Sequence, residues 1–304
     1  MSTVVVTGAN GFLGRHVSRV AAMQGHLVIG MGHGDWSEDT RRQWGLAAWH
    51  ELDVTLASLV AHAGKPDVLV HCAGSSSVGF SFENPAQDFE RTVGTTLDVL
   101  EYLRTCAPET ALVYPSSAAV YGRAAVLPII EESPLAPISP YGVHKKIAED
   151  LCRSYSESFG LRVAIVRIFS AYGVELRKQL LWDACQKALM GDYRFGGTGR
   201  ETRDWVNGED VARLLLIAGD HAVAGTAIVN GASSTELAVE SILAHLLHAL
   251  EAGRKAEFTG TVRAGDPERV VGDSSRALAW GWSPQRPWQE GVREYAAWFR
   301  RVER

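Results

Sequence analysis

The run Thr7-Gly8-Ala9-Asn10-Gly11-Phe12-Leu13-Gly14 constrains this 304-residue chain more than any other stretch. It follows the β-branched triplet Val4-Val5-Val6 and opens a segment with Leu13, Val17, Val20 and Ala21 at helical spacing. Strand, glycine turn and helix in that order predict the first βαβ unit of a dinucleotide site. Gly8 permits the tight turn. Gly11 lets the backbone approach a pyrophosphate, whose charge meets the N–H groups of the helix start. Gly14 lets the helix lie close to the sheet.

Further strands are expected at residues 27–29, 68–70, 111–114 and 163–166, with helical stretches between them. That alternation predicts an α/β fold, a doubly wound parallel sheet with helices on both faces and ligands at the carboxyl ends of the strands. After residue 168 the pattern changes. A helix is expected over 180–189, a glycine-rich stretch over 191–199, a helix over 208–217, and a strand over 227–229 that rejoins the first sheet. The chain thus divides into a dinucleotide-binding domain, 1–168, rejoined by about 206–232, and a smaller interleaved C-terminal substrate-binding domain, 169–304. A net charge of −5 argues against nucleic-acid or anionic-membrane partners. No apolar run reaches transmembrane length. Cys72, Cys106, Cys152 and Cys185 lack metal-type spacing and read as reduced thiols of a cytoplasmic protein, so no metal site is expected.

The second informative feature is Tyr141-Gly142-Val143-His144-Lys145, preceded in the chain by Ser116-Ser117. Tyr141 and Lys145 are four apart, so a helix puts both on one face. Ile147, Leu151 and Tyr155 continue a stripe at the same spacing, and Pro140 stands where helices start. A free tyrosine has a pKa of about 10 and is a poor base at neutrality. A nearby ammonium and an oxidised nicotinamide favour the phenolate, so Tyr141 is expected to move a proton at a sugar hydroxyl or carbonyl while a serine hydroxyl holds the same oxygen.

With these segments together, the chain resembles an extended short-chain dehydrogenase/reductase of the nucleotide-sugar epimerase/dehydratase/reductase group. The resemblance spans nearly all of the sequence. It rests on the glycine run, Asp53-Val54, His71-Cys72-Ala73-Gly74, Pro115 to Gly122, Tyr141 to Lys145, and Arg203-Asp204-Trp205. It implies a Rossmann-like domain and a catalytic set of Ser117, Tyr141 and Lys145. It implies NAD(P) contacts from Gly8, Asn10, Gly11, Phe12, Leu13, Gly14, His33, Asp53, Val54, Cys72, Ala73, Gly74, Ser116, Tyr141, Lys145 and Phe169. A nucleotide-sugar substrate would lie against Ser76, Ser117, Ser170, Leu180, Phe195, Arg203, Arg263 and Asp266. Arginine suits this role because its fork matches phosphate oxygens bidentately. By analogy, a homodimer would form through helices near 86–103 and 143–159.

Departures from the family pattern sharpen the expectation. NAD-preferring relatives carry an acid at the end of the second strand, where this chain has Gly32. Without that carboxylate a 2′-phosphate is not repelled, and Arg15, His33, Arg41 or Arg42 stand near enough to pair with it, so NADP(H) is favoured over NAD(H). Ala118 and Ala119 replace the Asp-Glu pair of 4,6-dehydratases and cannot move protons. Thr92 and Ser170 stand where asparagine is common, and His144 where serine is common. The leading expectation is an enzyme that reduces a 4-keto-6-deoxy nucleotide sugar. The alternative is a nucleotide-hexose 4-epimerase with tightly bound NAD. A non-catalytic dinucleotide-binding protein is a distant third, since such proteins lose the tyrosine or lysine present here.

Overall fold

The computed structural model describes residues 1–261 and 267–303. Its first part alternates strand and helix: β1 (Thr3–Thr7), α1 (Phe12–Met23), β2 (Leu27–Gly32), α2 (Glu38–Gln43), β3 (Ala48–Glu51), α3 (Leu56–His62) and β4 (Val68–His71). Two short helices, α4 (Val78–Glu83) and α5 (Pro85–Phe89), lead through a π-helical turn, Glu90–Gly94, into α6 (Thr95–Cys106). Then come β5 (Ala111–Ser117), a 3-10 turn (Ala118–Val120), α7 (Pro140–Phe159) and β6 (Val163–Ile168). The remainder holds β7 (Ser170–Tyr172), α8 (Gln179–Leu189), β8 (Arg194–Phe195), β9 (Thr202–Asn207), α9 (Gly208–Asp220), β10 (Ala227–Gly231) and β11 (Glu236–Ala238). It ends with α10 (Val239–Ala249), β12 (Glu257–Phe258), α11 (Ser275–Ala279) and α12 (Trp288–Val302).

Seven strands make one parallel sheet in the order β10-β6-β5-β4-β1-β2-β3. The order reverses between β1 and β4, which opens a crevice at their carboxyl ends. Both faces are covered. Along β1, Val4 and Val6 enter a core that includes Val17 and Val20 of α1 and Leu214 and Leu215 of α9, while Val5 enters another with Leu100 of α6 and Ala148 of α7. Burial on both sides explains why these strands read as continuous apolar runs. Strand β3 was not among the expected strands. It is an edge strand of mixed sequence, Ala48-Trp49-His50-Glu51, paired only with β2, and an edge needs no apolar run.

The C-terminal part has its own core, in which Leu181, Cys185, Leu246, Tyr295 and Phe299 interlock α8, α10 and α12. Strand β9 belongs to a small sheet, β11-β9-β7, yet runs straight into α9, which packs on α1 and the main sheet. The chain therefore crosses between the two parts more than once, and Lys178 of the second part bonds Ser76 beyond the end of β4. No helix among the described residues is long and apolar enough to cross a membrane.

Candidate active site

The glycine turn is built as its sequence demands. Gly8 has φ +65°, and a Cβ there would stand 2.6 Å from the backbone N of Ala73. Gly14 lies so close to the turn that a Cβ would meet the Gly8 carbonyl oxygen at 2.2 Å. Gly11 caps α1 through its backbone alone, and the first turn of the helix carries no acid. The positive end of α1 thus faces the crevice. Across it, Ala73 donates its N–H to Thr7 Oγ1, which also bonds His71 Nδ1 at 2.7 Å. Cys72 is small and packed, and burial pushes its thiol up to about 12 against the opposing pull of Lys145. Phe12 and Leu13 pack inward, Phe12 edge-on to His16 and Leu13 against the first core.

Beyond the turn, the basic groups expected near a cofactor ribose are already engaged. His33 Nε2 lies 2.9 Å from Asp53 Oδ1. Arg15 is ion-paired to Glu175 at 2.9 Å, donates to Asn10 Oδ1 and lies over the rings of Trp36 and Trp44. Arg41 donates to the Trp36 carbonyl, and Arg42 pairs with Glu38. Val54 is buried beside Asp53.

Ser117, Tyr141 and Lys145 meet above β5. Helix α7 is started by Ser139, whose hydroxyl accepts from Gly142 N–H, with Pro140 in the first turn. It comes so near the 3-10 turn that a Cβ on Gly142 would stand 2.7 Å from the Ala119 carbonyl oxygen. Ser117 accepts from Ala119 N–H at 3.2 Å and is hydrogen-bonded to the Tyr141 side chain. Lys145 Nζ donates to the Pro115 carbonyl at 2.9 Å and lies 4.9 Å from the centre of the Tyr114 ring. Burial lowers the Lys145 pKa to about 8. Burial also raises Tyr141 to about 12, while its bond to Ser117 pulls the other way. In the protein by itself, desolvation dominates at the Tyr141 hydroxyl.

Other expected site residues fall in different places. Ser116 turns inward and donates to Glu149 Oε1 at 2.6 Å, within a buried network in which Arg167 bonds both carboxylate oxygens of Glu149. Phe169 belongs to a small core with Tyr121 and Ile129. Ser76 accepts from Lys178 Nζ, bridging the two parts of the chain, while Ser77 caps α4. Ser170 is half-buried at the start of β7. Leu180 is partly buried against the C-terminal core and Phe195 lies within it. Arg203 donates to the carbonyls of Thr202 and Pro267. Its neighbour Asp204 points away and accepts from Ser233, Ser234 and Gly272. Arg263 and Asp266 lie outside the described residues. Sequence reasoning missed Asp88, a fully buried carboxylate 2.6 Å from His144 Nδ1. Nothing in its local spacing marks it.

Known proteins share this sequence pattern and fold. The profile of the NAD dependent epimerase/dehydratase family matches residues 4–231. A putative UDP-glucose 4-epimerase of Methanocaldococcus jannaschii is 27% identical over 310 residues, covering 98% of each chain. Among solved structures, MoeE5 in complex with UDP-glucuronic acid and NAD is 26% identical with a TM-score of 0.85, covering 99% of each chain. The UDP-glucose 4-epimerase of Thermus thermophilus, in complex with NAD, is 25% identical with a TM-score of 0.86, covering 98% of this chain and 99% of that one. These two complexes overturn the expected preference for NADP(H): both neighbours hold NAD. The side-chain geometry supplies a reason. Gly32 leaves room for a 2′-phosphate, but Arg15, His33 and Arg42 are paired with Glu175, Asp53 and Glu38, and Arg41 with a carbonyl.

Proposed function

The chain belongs to the NAD-dependent epimerase/dehydratase family, and from that premise we propose that it is a UDP-sugar 4-epimerase working with bound NAD. The observation that carries this reading is the meeting of Ser117, Tyr141 and Lys145 above β5 beside the glycine turn. Full-length likeness to UDP-sugar 4-epimerases supports it. The reductase reading finds no such support among these relatives, and the loss of NADP(H) preference removes its main argument. Retention of both Tyr141 and Lys145 argues against a non-catalytic role.

The residues fit a dinucleotide. The pyrophosphate would lie on the Gly8–Gly11 turn at the start of α1, where Gly8 and Gly14 have no room for a side chain. Asn10, His33, Asp53 and Val54 would flank the adenosine end, with Ala73, Gly74 and Phe169 further along the crevice. When bound, NAD would supply the hydride acceptor and donor for the sugar C4. The chain's own residues do the rest. Ser117 would hold the C4 oxygen, and Tyr141 would take the C4 hydroxyl proton and give it back. Lys145, charged below about pH 8, would favour the phenolate of Tyr141. Ser76, Ser170, Leu180, Phe195 and Arg203, with Arg263 and Asp266, would hold the nucleotide sugar and let its ring turn over between the two hydride steps. We also propose a homodimer through α6 and α7, which leave Leu97, Val143 and Phe159 exposed.

The test is to supply UDP-glucose or UDP-glucuronate with no added reductant and follow the C4 epimer by chromatography. Interconversion is expected, with NAD released when the protein is denatured. Tyr141→Phe should lower kcat about 10²–10⁴-fold with the NAD content unchanged. Turnover of a 4-keto sugar that requires added NADPH, with no epimerisation of either sugar, would overturn the proposal.

A further inference from the structure

In a fold of this kind the cofactor ribose meets the end of the second strand, where this chain has Gly32 and no acid. The cations near that point are paired, but the pairs are unequal. His33–Asp53 and Arg42–Glu38 lie open to solvent, with 69–81% of each side chain exposed. Pairs of that kind hold weakly and are screened by salt, so a phosphate readily displaces the carboxylate. Arg15 and Glu175, 2.9 Å apart, are only 15% and 20% exposed. The Arg15 guanidinium lies over Trp36 and Trp44, 5.2 and 5.3 Å from the ring centres. It also donates to the Asn10 carbonyl at 2.8 Å and to Asn10 Oδ1 at 2.6 Å. Asn10 Nδ2 in turn donates to the His33 carbonyl at 3.3 Å. One side chain therefore separates Arg15 from the loop that follows β2.

Glu175 reaches this corner from the connection between β7 and α8, 160 residues along the chain. Its φ of +71° is a conformation that a residue other than glycine keeps only where its surroundings enforce it. They do so on each side. His16 Nε2 lies 3.1 Å from the Val174 carbonyl, Trp298 Nε1 donates to Glu175 Oε1 at 3.2 Å, and the Tyr295 hydroxyl donates to the Leu176 carbonyl at 2.7 Å. Arg177, whose charge also bears on Arg15, is turned over the rings of Trp182 and Trp298. We propose that Glu175 is the residue that selects NAD over NADP, by holding the arginine fork that would otherwise take a 2′-phosphate. An arginine fork binds phosphate bidentately when it is free to do so. Here a 2′-phosphate meets Arg15 already engaged and a carboxylate beside it, whereas the 2′-hydroxyl of NAD needs neither removed. Discrimination that an acid at the end of β2 gives in NAD-preferring relatives thus comes from the second part of the chain.

The inference rests on the reading that the crevice holds NAD, and the test separates the two. Protein as purified is incubated with an equimolar excess of NAD and NADP until exchange is complete, then desalted and denatured, and the released dinucleotides are quantified by chromatography. Wild type should retain mainly NAD. Glu175→Gln keeps the shape, the backbone conformation and the bond from Trp298, and removes the charge. It should shift the retained ratio toward NADP by about 10–100-fold, the worth of one charge-assisted contact, with total dinucleotide content unchanged. Adding Arg15→Met should cancel the shift. If Glu175→Gln melts too low for the exchange, Glu175→Gly removes the carboxylate and suits the left-handed backbone, and should give the same shift. A carboxylate that merely ties the connection to α1 would, when removed, lose both dinucleotides together or leave their ratio unchanged, and either result overturns the proposal. So does a shift that survives Arg15→Met, or an equal shift from Asp53→Asn or Glu38→Gln. Wild type that retains mainly NADP overturns this proposal and the NAD reading alike. Wild type that keeps NAD yet epimerises no sugar sinks the epimerase reading alone, and the ratio in Glu175→Gln still decides this one.

Discussion

At the scale of single residues, Asp204 shows how much one carboxylate can hold. It is fully buried and accepts from Ser233 N–H and Oγ–H at 2.7 Å each, from Ser234 N–H at 3.0 Å and from Gly272 N–H at 3.1 Å. Burial raises its pKa while the four donors pull it down. Asp204→Ala leaves three backbone N–H groups without their acceptor, that of Gly272 in a buried position, and should cost about 1–3 kcal/mol in denaturant unfolding. A loss below about 1 kcal/mol, the worth of an ordinary surface pair, would refute this account. Arg203 and Asp204 were legible as a pair in sequence, but not their divergence. Neighbours on a strand point to opposite faces, so Arg203 reaches the carbonyl of Pro267 while Asp204 anchors the 233–234 loop. The cofactor preference failed for a related reason. Gly32 was weighed at one position, whereas the His33–Asp53 pair spans twenty residues. The Asp88–His144 pair spans 56. By contrast the glycine turn and the Tyr141–Lys145 spacing were readable, because i,i+3 and i,i+4 geometry is local.

At the scale of elements, α7 is the part on which the site depends. Its start is set by Ser139 and Pro140 and its end by Gly160 in the left-handed region, φ +72°. Its height above β5 is set by Gly142 against Ala119. Gly142→Ala must push the helix away from a backbone oxygen at 2.7 Å and from Pro137 Cβ at 3.0 Å. Overpacking of this kind costs about 1–3 kcal/mol. The larger effect should be on chemistry, since Tyr141 moves with the helix while Ser117 stays with β5. A misplacement of about 1 Å lowers rate on the order of 10²-fold. The expected result is a fall in kcat with little change in KM or NAD content, measured on a variant that still melts cooperatively. Wild-type kcat in Gly142→Ala would show that the close approach does not position Tyr141. The central strands were legible because each is buried on both faces, while the edge strand β3 and the strands outside that sheet, β7, β8, β9, β11 and β12, were not, since they are short or of mixed, partly buried sequence.

At the scale of the whole molecule, the cores share one chemical feature that makes stability depend on pH. Tyr102 and Tyr114 lie in one core, Tyr121 in the small one near β5, and Tyr172 and Tyr295 in the C-terminal one. All five are at most 1% exposed. Tyr121 donates to Asn230 Oδ1, and Tyr295 to the Leu176 carbonyl, each at 2.7 Å, so ionisation would set a phenolate against an oxygen in apolar surroundings. Burial raises every one of these pKa values, Tyr102 and Tyr121 to about 12. A folded pKa above the unfolded value contributes stability that is complete below about pH 10 and is lost as pH rises past it. Each tyrosine forfeits about 1.4 kcal/mol per pH unit there, so the five together lose on the order of 7 kcal/mol by about pH 11, comparable with the whole stability of a domain. Lys145 works in the opposite sense. Its pKa, lowered from 10.5 to about 8, makes the folded state gain as pH rises between those values. Buried Cys72, Cys152 and Cys185 act with the tyrosines, since burial raises their thiols from an ordinary value of 9, and together they outweigh Lys145 above about pH 9. Stability should therefore begin to fall near pH 9 and collapse near pH 11. Circular dichroism and tyrosinate absorbance recorded on the same samples check this. The two signals should change together, because these hydroxyls ionise only when the cores open. Absorbance that rises to its full value while the ellipticity stays native would mean that the five tyrosines ionise in place, and that the cores do not resist the charge.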